Sequence, residues 1–230
     1  MNVTTFFDVD NTLLDNDRAK VAMDGALARV LGTEGAAHFW RTYEAIRAET
    51  GSVNIPQAMA RLDQEMQTAV DTGQLRDSDR RRRRDEMAEV VMGMSYEEFV
   101  YRGSAKAIAH AQTFGAVAIF SEGDATFQPS KIWRAGLTRA LDGHVLVYDR
   151  KRERLREATA AYPSDHWIFV DDKALILHDI GAVLGASATT VWVRQGSYAN
   201  VEIDHLRVDH VIQSIGDFAE LGLRELTGRV

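Results

Sequence analysis

Cysteine is absent from the 230-residue sequence, and this excludes disulfide bonds, thiolate catalysis and cysteine-ligated zinc. No apolar run approaches the roughly 20 residues that a helix needs to cross a bilayer. The segment Met1–Phe7 also lacks the basic start of an export signal. These absences predict a soluble, cytoplasmic protein that does not engage membranes.

An excess of positive charge is also missing. A net charge of −7 provides no general field that would attract nucleic acid or anionic lipid. The run Arg80–Arg84, flanked by Asp79 and Asp85, is a local exception. It predicts a solvated helix start or loop, with a patch for an anionic substrate or RNA as the alternative. Because no aromatic residue interrupts the run, we expect no nucleic-acid partner.

Two common catalytic motifs are missing as well. The seven histidines form neither an HExxH motif nor an i, i+4 pair, which argues against a zinc hydrolase of that type. No GxxxxGK[ST] segment is present, so ATP binding by a P-loop is not expected. The chemistry must therefore come from other residues.

Short, continuously apolar runs are present and indicate strands that are covered on both faces. From Ala105 onward they alternate with helical patterns, which is typical of a doubly wound α/β fold with a parallel sheet. The predicted strands are Val3–Val9, Ala116–Phe120, His144–Tyr148, Trp167–Val170 and Thr190–Val193, with Val208–Ile212 as a candidate sixth. The predicted helices are Ala105–Thr113, Ser130–Leu141, Arg152–Tyr162 and Ala174–Leu184.

About a hundred residues between the first two predicted strands show no strand pattern. Apolar residues recur there every three or four positions, as in Met23, Leu27 and Val30, so that each set can bury one helical stripe. We therefore predict an all-helical insert over residues 16–100. The α/β core would consist of residues 1–15 and 101–230.

The first predicted strand ends in two carboxylates, Asp8 and Asp10, followed by the hydroxyl of Thr12. Residues spaced i, i+2 on a strand point to the same side, and two neighbouring anions are unfavourable without a cation or a proton. Mg²⁺ is a suitable cation, since it binds one or two protein carboxylates together with a substrate phosphate. The alternative is an Asp-rich turn in which Asp10 and Asn11 hydrogen-bond only the backbone.

Two later strands also end in polar residues. Ser121 and Glu122 follow one of them, and the pair Asp171–Asp172 follows another, where Asp172 could instead cap the next helix. The carboxyl ends of parallel strands lie on one edge of the sheet, where ligands bind. We therefore expect these side chains to meet Asp8 and Asp10.

A lysine is needed at this edge to offset phosphate charge. The sequence contains five lysines, and Lys151 follows the third predicted strand, so it should lie at the correct edge. Arg150 or Arg152 could share its role. Lys131 is set back on a predicted helix and is expected at the surface.

Together these segments resemble the haloacid dehalogenase superfamily over essentially the whole chain. The first motif of that family, DxDx[TV], matches residues 8–12, and its second, a strand ending in Ser or Thr, matches Ser121. Lys151 matches the third and Asp171–Asp172 the fourth, while the helical insert resembles the family's cap domain. Glu122 departs from the small residue or Asn usual at its position, and Lys151 lacks the common Gly-Lys-Pro context.

The resemblance implies a Rossmann-like core and a covalent mechanism. Asp8 would be the nucleophile and Asp10 the general acid and base. Mg²⁺ would be held by Asp8, the backbone carbonyl of Asp10 and Asp172, with Asp171 nearby. The residues expected around the phosphate are Thr12, Ser121, Glu122 and Lys151.

The function expected from the sequence is Mg²⁺-dependent hydrolysis of a small phosphorylated metabolite through an aspartyl-phosphate intermediate. A phosphoryl mutase and a 2-haloacid dehalogenase of the same superfamily are alternatives. A phospho-switch protein or a phosphate-binding protein without turnover is the alternative outside enzymology. Bacterial receiver domains, which also phosphorylate an Asp, place the acidic pair before the phosphorylated residue, the opposite order to this chain.

Overall fold

A parallel β-sheet forms the centre of the protein in a computed structural model that describes residues 1–51, 54–202 and 204–228. Within those ranges the sheet has six strands in the order β3-β2-β1-β4-β5-β6. The strands are β1 (Val3–Phe7), β2 (Gly115–Glu122), β3 (Val145–Tyr148), β4 (His166–Asp171), β5 (Ala188–Val193) and β6 (His210–Ile212). The predicted α/β class and parallel sheet are therefore confirmed.

The two central strands are almost completely buried, which explains why their sequences do not alternate between apolar and charged residues. Every residue of β1 is buried, and Phe7 pairs with Ile119 of β2 on one side and Val170 of β4 on the other. Alternate residues of β1 pack into two apolar clusters, with Phe7 in one and Phe6 in the other. Burial on both faces is what distinguishes such strands from the alternating strands of a half-exposed sheet.

Helices cover both faces of the sheet. After residue 100 they are α4 (Ser104–Gln112), α5 (Phe127–Arg134), α6 (Leu137–Ala140), α7 (Leu155–Ala161), α8 (Ala174–Leu184) and α9 (Leu223–Thr227), with 3₁₀ turns at Lys151–Arg154, Gly185–Ser187, Gly196–Tyr198 and Ile215–Glu220. The single helix predicted over Ser130–Leu141 is wrong. Gly136 adopts a left-handed backbone (φ 73°), which ends α5 and starts α6.

The segment between β1 and β2 is helical: α1 (Asn16–Thr50), α2 (Ile55–Asp71) and α3 (Asp77–Gly93), followed by a 3₁₀ turn at Glu97–Phe99. Helix α1 is kinked at Gly32, whose φ of 78° and ψ of 163° are not helical. Apolar side chains from all three helices, including Phe39, Leu62 and Met87, are buried between them. The division of the chain into a core and a cap at residues 15 and 100 stays a prediction.

The arginine run lies in α3 and is largely paired with acidic residues. Arg80 contacts Asp63 of α2 at 2.6 Å, and Arg81 pairs with Asp77 one helical turn earlier. Arg84 donates to Asp85. These pairs fit the solvated helix start expected from the sequence. None of the described helices combines the length and the hydropathy of a bilayer-crossing segment.

Candidate active site

The polar residues that follow β1, β2 and β4 meet at one edge of the sheet. The backbone N–H of Asp8 donates to the carbonyl of Val170 at 2.9 Å, which fixes Asp8 at the end of the central strand pair. Ser121 lies near the end of β2, and Asp171 is the last residue of β4. The parallel sheet thus gathers side chains that are more than a hundred residues apart.

Lys151 is the electrostatic centre of this edge. Its Nζ donates to Asp8 Oδ1 and to Asp171 Oδ2, both at 2.6 Å, and to the Phe120 carbonyl at 3.3 Å. The residue is only 1% exposed. Burial alone would lower the pKa of Lys151, but Asp171 and Asp8 outweigh it and raise that pKa. The ammonium therefore stays charged and offsets part of the acidic cluster.

Of the three basic residues that follow β3, Lys151 is the one that reaches Asp8. Arg150 points away and donates from Nη2 to the carbonyl of Thr50, at the end of α1, at 2.9 Å. Arg152 pairs with Asp179 of α8 at 2.6 Å. The geometry thus favours Lys151 over its neighbours for the lysine position that the sequence left open.

Asp8 is a buried carboxyl with two identifiable partners. Burial raises its pKa to about 6, and Lys151 opposes this rise while Asp171 adds to it. Thr12 lies across from Lys151, with its Oγ1 3.4 Å from Asp8 Oδ2. A pKa of about 6 leaves Asp8 mainly ionised near neutral pH.

The two acids at the end of β4 differ in their hydrogen bonds: Asp171 has partners and Asp172 has none among the described residues. Asp171 accepts from Lys151 through Oδ2 and from the Lys173 backbone N–H through Oδ1, the latter at 2.9 Å. Asp172 is 1% exposed, yet neither of its side-chain oxygens has a hydrogen-bond partner among the described residues. Burial, followed by the charges of Asp171 and Asp8, raises the pKa of Asp172 to about 9.

These three carboxylates fit a hard divalent cation. One oxygen each from Asp8, Asp171 and Asp172 can be chosen so that all lie within 4.8 Å of one another. The unpartnered oxygens of Asp172 supply the observation that points to a cation, because a buried carboxylate without a compensating charge is costly. Oxygen donors of this kind suit Mg²⁺.

Asp10 lies at the side of this cluster and is held by Lys131. The Lys131 Nζ donates to Asp10 Oδ1 at 2.5 Å and to Asn16 Oδ1 at 2.6 Å, and the lysine is only 4% exposed. The surface position expected for Lys131 is therefore wrong. A lysine on a helix normally reaches solvent, but α5 packs over the sheet edge, and the ion pair compensates the buried ammonium.

Ser121 and Glu122 have different surroundings. The Gln128 side-chain amide donates to Ser121 Oγ at 3.0 Å, and both residues are buried. Glu122 is partly exposed, and its Oε2 accepts a hydrogen bond from the Lys151 backbone N–H at 3.3 Å. As an anion, Glu122 suits the positioning of Lys151 better than direct contact with phosphate oxygens.

Lys131 and Gln128 are site residues that the sequence analysis missed. They are three positions apart on α5 and so share one face of that helix. A signal was present, since this helix follows directly after the β2 carboxyl end and opens with Phe127, a buried aromatic residue. A helix packed on that end must present one face to the site.

Comparison with known proteins places the chain in a family. The sequence matches no protein-family model and no curated protein. It is 32% identical to a protein named as a haloacid dehalogenase-like hydrolase from Burkholderia xenovorans LB400, with 97% of this chain and 98% of that chain covered and a TM-score of 0.85.

More distant structures share the fold. A 2-haloacid dehalogenase from Pseudomonas syringae pv. Tomato DC3000 is 19% identical over 96% of this chain and 97% of its own, with a TM-score of 0.66. A HAD-hydrolase from Bacillus subtilis bound to magnesium is 16% identical over 95% and 97%, with a TM-score of 0.55. The match to the Burkholderia protein over nearly the full length shows that this chain belongs to the haloacid dehalogenase-like hydrolases.

Proposed function

We propose that the protein is a Mg²⁺-dependent phosphatase that hydrolyses a small phosphorylated metabolite through an aspartyl-phosphate on Asp8. The observation that carries the proposal is the buried cluster of Asp8, Asp171 and Asp172, in which Asp172 lacks any partner among the described residues. Lys151 pairs with Asp8 and Asp171, and the charge of Lys173 acts on Asp8 and Asp172 without a hydrogen bond to Asp172, so a cation would be needed to hold Asp172 as a carboxylate.

Asp8 would attack phosphorus. One of its oxygens is held by Lys151 and the other lies near Thr12, so the carboxylate has little freedom to rotate. Attack would form a bond between an Asp8 oxygen and phosphorus and release the alcohol, which splits the hydrolysis into two steps. The hydroxyls of Thr12 and Ser121 and the ammonium of Lys151 would hold the phosphoryl oxygens, already oriented before charge develops.

Asp10 would transfer the protons. Lys131 fixes its Oδ1, while Oδ2 makes no hydrogen bond with a described residue and is free to reach the leaving oxygen. Asp10 would donate a proton to that oxygen in the first step and remove one from the attacking water in the second.

A bound Mg²⁺ would be held by Asp8, Asp172 and the backbone carbonyl of Asp10, with Asp171 kept beside it by Lys151. Its contribution would be to offset the repulsion between the Asp8 carboxylate and the phosphate dianion. Asp171, already engaged by Lys151 and the Lys173 backbone N–H, would orient its neighbours.

Thermal unfolding tests the metal site without any assay of turnover. In the metal-free protein the raised pKa of Asp172 means that the folded state holds a proton that the unfolded state releases above pH 3.8. Stability should therefore fall as pH rises from about 4 towards about 9. Asp172→Asn should weaken this dependence and raise the metal-free Tm at neutral pH by several degrees, for a gain of roughly 1–3 kcal/mol.

Magnesium should raise the Tm of the wild-type protein and leave that of Asp172→Asn nearly unchanged. Asp149→Asn is the matched control, because Asp149 is exposed and, among the described residues, its side chain accepts only from the adjacent Arg150 backbone N–H. This control should keep the magnesium response of the wild type. An equal magnesium response in Asp172→Asn would contradict the assignment of Asp172 as a ligand.

We also propose that residues 16–100 act as a cap over this edge. The two segments that connect them to the sheet run side by side, with Asp15 N–H donating to the Phe99 carbonyl and Tyr101 N–H to the Leu13 carbonyl. Helix α1 also makes polar contacts with the core, such as the 2.6 Å hydrogen bond from Ser197 to Asp17. Contacts of this kind can break and re-form during opening.

Hydrogen exchange should detect this motion. Orthovanadate with Mg²⁺, a mimic of the phosphoryl group, should slow exchange in the connecting segments near Asn16 and Arg102 because it stabilises the closed arrangement. Helix α9, at the far end of the core sequence, serves as an internal control and should not change. Identical exchange with and without the mimic would indicate a rigid, permanently closed site.

A further inference from the structure

A small pocket adjoins Asp10 on the side away from the acidic cluster. It has a volume of about 40 Å³ and lies between α1, the turn that contains Tyr96, and α5. Met23, Trp40 and Ile55 contribute apolar walls. Since Asp10 would protonate the leaving oxygen, this pocket is where the alcohol part of a substrate would lie.

The charged side chains of the pocket wall differ in whether they have a hydrogen-bond or ion-pair partner. Asp10 is paired with Lys131, and Asp124 Oδ1 accepts from the backbone N–H groups of Thr126 and Phe127, both at 2.8 Å. The ammonium of Lys20, on α1, forms no hydrogen bond or ion pair with any described residue. Its Nζ lies 5.5 Å from the centre of the Tyr43 ring.

Partial burial of Lys20 has an energetic cost that the pocket does not fully offset. Burial lowers the pKa of Lys20, and the more distant charge of Asp10 only partly opposes this. A cation over an aromatic ring gains some stabilisation, but less than a direct ion pair with a carboxylate in the same surroundings. The ammonium therefore has capacity to bind an anion.

Tyr96 provides a second, independent indication of a ligand. The residue is 2% exposed and lines the same pocket, yet its hydroxyl has no hydrogen-bond partner among the described residues. A buried hydroxyl without a partner loses the hydrogen bonds that it would make to water, so such groups are rare unless something binds them. Like Lys20, this hydroxyl is a donor that lacks an acceptor.

We propose that Lys20 and Tyr96 bind a carboxylate on the alcohol part of the substrate, so that the enzyme prefers small phosphate monoesters bearing an acid group. The proposal rests on the phosphatase function proposed above. A carboxylate has two oxygens, one for the ammonium and one for the hydroxyl, and its single charge matches one lysine. The small volume and the apolar walls restrict the connecting chain to a few atoms.

Two substrates of nearly equal size test this preference. In 2-phosphoglycolate a carboxylate replaces the methyl group of ethyl phosphate, and the rest of the molecule is unchanged. For the wild type, kcat/KM should be higher for phosphoglycolate. Lys20→Met should lower the ratio of the two kcat/KM values by roughly 10- to 100-fold, because a hydrogen bond to a charged group is lost. Tyr96→Phe should lower the ratio by a smaller factor.

Lys106→Met is the matched control, since Lys106 lies on α4 and pairs with Glu220 at the surface. It should leave the ratio at the wild-type value. Equal losses on both substrates in Lys20→Met would overturn the proposal, since they would indicate a structural role. Wild-type kcat/KM values on both substrates in Lys20→Met would overturn it too, and would leave Tyr96 to bind an ordered water.

Calorimetric binding separates this inference from the proposed function. Phosphoglycolate and ethyl phosphate are titrated into Asp8→Asn protein with Mg²⁺, with and without Lys20→Met. Selective weakening of phosphoglycolate binding by roughly tenfold or more would support the carboxylate site even if the wild type hydrolysed neither compound. Equal binding of phosphoglycolate with and without Lys20 would overturn it, whatever the turnover.

Discussion

An Asp8→Asn variant is expected to fold normally and to lose phosphatase turnover by roughly three or more orders of magnitude, as enzymes do when a covalent nucleophile is removed. Asparagine has nearly the same shape as aspartate, and its side-chain oxygen can still accept from Lys151. It cannot, however, form the acyl phosphate. The measurement is kcat with p-nitrophenyl phosphate and Mg²⁺, together with Tm to show that the variant is folded.

Two further results belong to the same prediction. Asp149→Asn, which removes an exposed acid from the loop after β3, should retain wild-type turnover. Rapid quenching of the wild type in acid, followed by peptide mass spectrometry, should find one added phosphoryl group on the peptide that contains Asp8. Near-normal turnover by Asp8→Asn would eliminate the covalent mechanism.

The fold could largely be predicted from the sequence because the burial of the strands determines their apolar pattern. Strands β1 and β4 are covered on both faces, so Val3–Phe7 contains no charged residue and Ile168–Val170 is a continuous apolar run. Helices between such runs leave few arrangements other than a parallel, doubly wound sheet. The ends of the strands were harder to predict. The first strand was predicted to reach Val9, but the Val9 carbonyl accepts the turn N–H groups of Leu13 and Leu14.

The breaks inside helices could not be located from apolar spacing. Buried residues lie on both sides of Gly136, and in α1 they stop at Leu27 and resume at Ala36, an interval that does not single out Gly32. Both glycines adopt positive φ values, at which residues with a side chain would be strained. Glycine is also tolerated within helices, so the sequence indicates a possible break without requiring it.

The sequence could predict the site residues whose positions depend on strand ends, but not those whose positions depend on helix packing. Asp8, Ser121 and Asp171 meet because parallel strands end on the same edge, a consequence of topology alone. The contact of Lys131 with Asp10 depends on how α5 lies across that edge. The contribution of Tyr96 depends on how the chain returns from the helical segment, which apolar spacing does not specify.

The second prediction concerns Asp10 and the basicity of the leaving group. An alkoxide is a strong base and needs a proton as it leaves, whereas p-nitrophenolate does not, and proton donation is typically worth roughly 10²- to 10⁴-fold. Asp10→Asn should therefore lower kcat/KM for ethyl phosphate by that factor and lower kcat/KM for p-nitrophenyl phosphate much less. The comparison uses kcat/KM because this quantity reports the steps up to release of the alcohol.

The loss in kcat should follow a different pattern. After the alcohol has left, both substrates give the same phosphorylated Asp8, and Asp10 is needed again to activate water. For p-nitrophenyl phosphate, Asp10→Asn should therefore lower kcat more than kcat/KM, and phosphorylated enzyme should accumulate. Equal losses of kcat/KM on both substrates would show that Asp10 is not the general acid.

The same residue separates a phosphatase from a dehalogenase. Haloacid dehalogenases share this fold, and their substrates could also present a carboxylate to Lys20. Halide, however, is a weak base that leaves without a proton, so an acid beside Asp8 would have no task in that reaction. Nor would a cation held by Asp172 have a phosphate dianion to neutralise.

We therefore expect no chloride release from 2-chloropropionate above background, with or without Mg²⁺, in the same preparation that hydrolyses ethyl phosphate. Chloride release that depends on Asp8 and is insensitive to Asp10→Asn would replace the phosphatase assignment with a dehalogenase.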